Sequence, residues 1–177
     1  MTVTKPINKK SVCDIYLFDT ITYQIAQDTI SKINLANLKE DDYSKIVITS
    51  CSPGGDFYPS FAIYDAIKLS KLTVEFIGSG WIASCAVMIM QACSKKSVTK
   101  NTFIMIHPSI NNSSIKSHQE YMVMSNQYDK EHLRFVELST EGTSLSVDEF
   151  EKITKQEMRI YYTPQAALKL KLIDEIL

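Results

Sequence analysis

The sequence predicts an α/β fold built on a parallel sheet, and three observations carry that reading. Short runs rich in β-branched residues alternate with segments of helical periodicity. The connections from strand to helix are tight, and four of the five glycines, Gly54, Gly55, Gly78 and Gly80, fall in two of them. A chain of 177 residues with 45% hydrophobic content suits one domain with a sizeable core.

The elements follow in order. DIYLF is read as a first strand, with a helix after it through about Ala36, and KEDDYSK (Lys39 to Lys45) as a solvated loop. KIVITS (Lys45 to Ser50) is a strand that ends in the turn CSPGGD, and the next segment carries Phe61, Tyr64 and Ile67 at helical spacing. The unit then repeats: LTVEFI (Leu72 to Ile77) as strand, GSG as turn, and a helix from Ile82 to about Cys93. That helix is apolar on nearly every side, so it must be buried. TFIMIH (Thr102 to His107) is a third strand, closed by Pro108 and followed by a long amphipathic helix from about Ile115 to Leu138. Ser146 and Glu149 form a capping box for a helix from Val147 to about Glu157. Thr163-Pro164 starts a last short helix, and LIDEIL closes the chain as strand or tail. Strands alternating with helices imply parallel pairing through right-handed crossovers.

Composition narrows the function. A net charge of −1 and a pI near 6.3 leave no basic footprint for nucleic acid or an anionic membrane. No apolar run is long enough to span a bilayer, and the opening residues lack the apolar centre of a secretory signal, so a soluble, cytoplasmic protein is expected. Cys13, Cys51, Cys85 and Cys93 are spaced as buried free thiols rather than as a disulfide framework. His118 and His132 are expected to be solvated and without metal-ligand company. Met88, Met90, Met122 and Met124, with Tyr161 and Tyr162, are read as core or interface residues. No cofactor or metal is called for.

In open parallel sheets, functional residues gather at the carboxyl ends of the strands. Pro53-Gly54-Gly55, Ser84 and His107 all fall just past such ends. Ser84 has two readings: a helix serine bonded back to a carbonyl, or a nucleophile. In the second, an oxyanion formed at Ser84 faces the amide of Cys85 and one from the Gly54-Gly55 turn. A serine nucleophile needs a base within hydrogen-bond reach, and His107 is the residue placed to supply it.

SPGG (Ser52 to Gly55), FAIYDAI (Phe61 to Ile67), GWIASCA (Gly80 to Ala86), MIHP (Met105 to Pro108) and TPQAALKLKLID (Thr163 to Asp174) together resemble the ClpP family of self-compartmentalising serine proteases, over roughly Asp14 to Leu177. The resemblance implies a ClpP/crotonase-like fold of repeated ββα units with a long handle helix. It sets Met1 to Val12 apart as an N-terminal segment in the place of the family's axial loop, and 13–177 as one domain. It implies Ser84 as nucleophile, His107 as general base, Gly55 and Cys85 in the oxyanion hole, and Gly54 and Asp56 in substrate binding. It further implies two stacked seven-membered rings and polypeptide substrates delivered by a hexameric ATP-driven unfoldase. ATP would belong to that partner, because no P-loop pattern occurs in this chain.

The departures are as informative. Counting back from LID, the family's triad aspartate position falls on Arg159, where a cation neither orients an imidazole nor stabilises an imidazolium. Glu157, two residues earlier, is a substitute acid or simply the charge partner of Arg159. Ala86 replaces the glycine after the nucleophile, Pro108-Ser109 stands where Gln-Pro is usual, and SINNSSIKSH has no glycine. Trp81 either shapes the pocket or packs. Two readings stand: a serine endopeptidase with an altered triad, or a weak or silent ring subunit acting with an active homologous ClpP subunit. A crotonase-type acyl-CoA enzyme shares the fold but has no cue for a CoA site.

Overall fold

The computed structural model describes residues 10–107, 117–155 and 159–177. The first unit is strand β1 (Ser11–Leu17) and helix α1 (Tyr23–Leu38), the helix opened by Thr22, whose hydroxyl accepts from the amide of Ile25 at 3.4 Å. β1 therefore takes in residues 11 and 12 of the expected N-terminal segment. The second unit is β2 (Tyr43–Ser52) and α2 (Phe57–Lys68); the third is β3 (Val74–Ala83) and α3 (Cys85–Ala92). Two short strands follow, β4 (Lys95–Val98) and β5 (Phe103–Ile106), then the long α4 (His118–Thr140) and α5 (Val147–Lys155). The chain ends with β6 (Ile160–Tyr162), α6 (Pro164–Lys169) and β7 (Glu175–Ile176).

The strands lie in the order β1-β2-β3-β4-β7, all parallel, because each return passes through a helix or a long connection. β3 changes neighbours along its length. Glu75 to Gly78 pair with β4, whereas Trp81 to Ala83 pair with β5, on whose far side β6 runs antiparallel.

This corrects the reading of GSG as a turn and of Ile82 as a helix start. Against β2 the register runs from Ser50↔Gly78 to Ser52↔Ile82, so β3 carries two extra residues between those pairs. Glycine inside a strand marks such a bulge. Gly80 takes φ +68°, and a Cβ on Gly78 would sit 2.9 Å from Ile82 and 3.0 Å from Val98. The glycines thus bend one strand out of its first partnership and into a second. The KKSV strand was not foreseen, since two lysines open a run of only four residues.

The core lies between the sheet and the helices. All eight residues of α3 are buried, as its all-round apolarity predicts, in one core with Ile15, Ile33, Ile48, Phe76, Phe135 and Phe150. The predicted capping box is present: Glu149 N–H donates to the Ser146 hydroxyl at 3.2 Å, and Ser146 N–H donates to the Glu149 carboxylate at 2.9 Å. These bonds hold the Glu149 carboxyl below its ordinary value. Met88 and Met90 are core residues, but Met122 is exposed on α4. Trp81 pairs beside Phe103, both partly exposed, rather than lining the cavity described next.

Candidate active site

Ser84 sits on a sharp turn between β3 and α3. Its backbone adopts φ +55°, ψ −129°, one of two positive-φ positions held by a residue other than glycine among the described residues. Such strain persists only where the surroundings over-determine it, and it recurs where a nucleophile must be presented at a strand-to-helix elbow. Here the Ser84 amide donates to the Met105 carbonyl at 3.0 Å, and its carbonyl accepts from Val87 at 2.9 Å. The side chain makes no capping bond to its own helix.

The Pro53-Gly54-Gly55 turn is pressed against that elbow. Gly54 has φ +90°, and a Cβ there would lie 2.6 Å from the Ser84 Cβ, 2.7 Å from the Ala83 carbonyl oxygen and 2.9 Å from the Cys85 nitrogen. A Cβ on Gly55 would fall 2.2 Å from the Ile21 oxygen. Both glycines are therefore required by close backbone approach. The turn is locked by Ile21 N–H to the Gly54 carbonyl at 2.8 Å, Asp56 N–H to the Ile21 carbonyl at 3.0 Å, and the Cys85 thiol to the Gly55 carbonyl at 3.2 Å. Burial pushes the Cys85 thiol above its ordinary value, against the lowering from its bonds to Ser60, Ser84 and Gly55, so it serves as a donor rather than as a thiolate.

The bridge between Ile21 and Gly55 uses the Gly54 carbonyl and the Asp56 amide, not the amide of Gly55. The Cys85 amide is the first of α3, before any intrahelical acceptor. Gly55 and Cys85, whose amides are expected at an oxyanion, both line the cavity beside Ser84, and Cys85 stands at the positive end of a buried helix.

His107 follows β5 directly, is half-buried, and lines the same cavity of about 510 Å³ as Ser84, Gly54, Gly55, Asp56 and Cys85. The register explains the convergence. Ala83 pairs with Met105, so the chain leaves β3 at Ser84 and β5 at His107 along the same edge of the sheet. The antiparallel β5–β6 pairing runs Ile104↔Tyr162, Met105↔Tyr161, Ile106↔Ile160. Continued one step, it sets Arg159, which is exposed, opposite His107, where cross-strand neighbours share a face. Glu157 and the segment from Pro108 through Ser109 to residue 116 lie outside the described residues, and with them most of the glycine-free SINNSSIKSH run.

Six contributors to the cavity were not read from the sequence: Thr20, Tyr23 at the start of α1, Phe57 and Tyr58 on α2, and Tyr128 and Glu131 on α4. The Tyr58 hydroxyl donates to Glu131 Oε1, and Gln127 Nε2 donates to the same oxygen at 3.0 Å. The bond to Glu131 pushes Tyr58 ionisation above its ordinary value. No local motif marks these residues, because they meet only when α1, α2 and α4 come together. His132, expected to be solvated, is instead half-buried, with its Nε2 3.0 Å from the Thr154 hydroxyl and its ring stacked on Tyr128. Burial depresses its basicity.

A family model described as Clp protease matches residues 3–177. The ATP-dependent Clp protease proteolytic subunit 3 of Rhizobium meliloti is 30% identical over 146 residues, covering 81% of this chain and 73% of that protein. The ATP-dependent Clp protease proteolytic subunit of Paracoccus denitrificans is 29% identical over 160 residues, covering 89% and 77%. Among solved structures, a ClpP1 mutant from Listeria monocytogenes superposes with a TM-score of 0.81 at 24% identity, covering 93% of this chain and 90% of that one, a likeness of fold.

Proposed function

Because the chain belongs to the Clp protease family, we propose that it is a serine endopeptidase subunit of a cytoplasmic, self-compartmentalising ring that degrades unfolded polypeptides delivered by a hexameric ATP-dependent unfoldase. The observation that carries the proposal is the strained Ser84 elbow, seated against Gly54 in one cavity with His107.

In this reading His107 removes the Ser84 proton as the hydroxyl oxygen attacks the scissile carbonyl, and the new oxyanion is met by the amides of Cys85 and Gly55. His107 then gives the proton to the leaving amine. Water repeats the sequence on the acyl-enzyme, releasing the acid and restoring Ser84. Gly54 and Asp56 border the path of the substrate backbone. Arg159, in the acid's place, leaves the imidazolium without a counter-charge unless Glu157 supplies one. A damaged triad retains roughly 10³- to 10⁴-fold catalysis over water from the oxyanion hole and binding.

Arg159 opposite His107 also favours a second reading, a silent subunit that builds a mixed ring with an active homologous ClpP subunit. Intact-mass labelling with a small fluorophosphonate separates the two. The endopeptidase predicts one adduct per chain, absent in Ser84→Ala and in His107→Ala. An assembled wild type that takes no label leaves the silent ring subunit.

A further inference from the structure

The charged side chains that line the Ser84 cavity are two carboxylates, Asp56 and Glu131; no lysine or arginine lines it among the described residues. Its walls also carry four aromatic rings, those of Tyr23, Phe57, Tyr58 and Tyr128. Phe57 and Tyr128 stand 6.3 Å apart and tilted, so α2 and α4 bring aromatic rings to the same cavity as the carboxylates. Glu131 is held in place through one oxygen: Oε1 accepts from both the Tyr58 hydroxyl and Gln127 Nε2.

We infer that this cavity selects a cationic side chain, lysine or arginine, beside the scissile bond, with Glu131 as the principal specificity-determining residue and Asp56 as its assistant. Aromatic faces attract ammonium and guanidinium groups, and the methylene stem of either residue packs on the same rings while the head reaches a carboxylate. A leucine side chain would cover those carboxylates and offer no hydrogen bond in return, which costs their hydration. A glutamate would add like charge to two fixed negative charges.

The inference rests on the hydrolase reading only for where the scissile bond lies, and its test needs no turnover. Acetylated pentapeptide amides that differ at one central position, Lys, Leu or Glu, are titrated calorimetrically into Ser84→Ala protein. The expected result is an affinity for the Lys peptide about tenfold or more above that for Leu, with Glu weakest. In Ser84→Ala/Glu131→Gln protein the Lys advantage shrinks to about twofold. If that variant fails to fold, Ser84→Ala/Asp56→Asn carries the same test with a smaller expected loss. Equal affinities, a Leu preference, or no binding by any of the three overturns the inference. Failure of the hydrolase reading is seen separately, as a wild type that takes no fluorophosphonate label.

Discussion

Arg159 is the residue on which the proposed activity turns. One step past the last β5–β6 pair, Ile106↔Ile160, the register would set it opposite His107, where a carboxylate would hold the imidazole and balance its charge. Arg159→Asp is therefore expected to raise the rate of fluorophosphonate labelling and of peptide hydrolysis by roughly 10²- to 10⁴-fold, the range lost when a triad acid is replaced. An unchanged rate would mean that the acid comes from elsewhere, with Glu157→Gln the next variant to measure. Cys85 is the contrasting residue. Although it neighbours Ser84, burial keeps its thiol protonated and bonded to Gly55, so its role is to hold the glycine turn.

At the scale of elements, the cavity depends on how α4 sits against α2. One tie is polar: the Tyr64 hydroxyl donates to the Glu141 carboxylate, which Lys68 also meets at 2.9 Å. These bonds, the Tyr64 one first, hold the Glu141 carboxyl below its ordinary value of 4.5, while burial and Glu141 raise Tyr64 well above 10.0. A depressed folded-state carboxyl stabilises the fold above its unfolded pKa, and that stabilisation fades as pH falls through the folded value. Tyr64→Phe should then cost about 1 kcal/mol at pH 7, the worth of a hydrogen bond to a charged group discounted for the exposure of Glu141. Chemical denaturation across pH checks it: the gap between wild type and Tyr64→Phe should be full at pH 6 to 7 and narrow below pH 4.5. A gap that widens on acidification would contradict the assignment.

For the whole molecule, the expectation is assembly. Fourteen copies of a 20.1 kDa chain make a particle of about 280 kDa, which native mass spectrometry or sedimentation reads directly. A mass that stays at one chain over micromolar concentrations would remove the ring from the proposal. A ring that forms only when a homologous subunit is added would favour the silent-subunit reading. Among the described residues no helix is long and apolar enough to cross a membrane.

The sequence by itself determined the strand-helix alternation, the buried α3, the Ser146–Glu149 cap and the convergence of Gly54, Ser84 and His107, because each is written in local periodicity, capping chemistry or glycine placement. Its resemblance to the ClpP family also marked Arg159, at the spacing from LID where the family carries an aspartate. Tertiary structure decided the rest. That Gly78 and Gly80 bend a strand rather than end it follows from β3 having two successive partners, β4 and β5, which no local pattern encodes. That Tyr58 and Glu131 share a cavity with Ser84 follows from α4 packing beside α2, about seventy residues apart in sequence. His132 likewise became a packed residue only when α5 closed over it through Thr154. Residues that act within one turn of chain are legible from their neighbours, whereas residues joined by sheet register or helix crossing are legible only once the register is set.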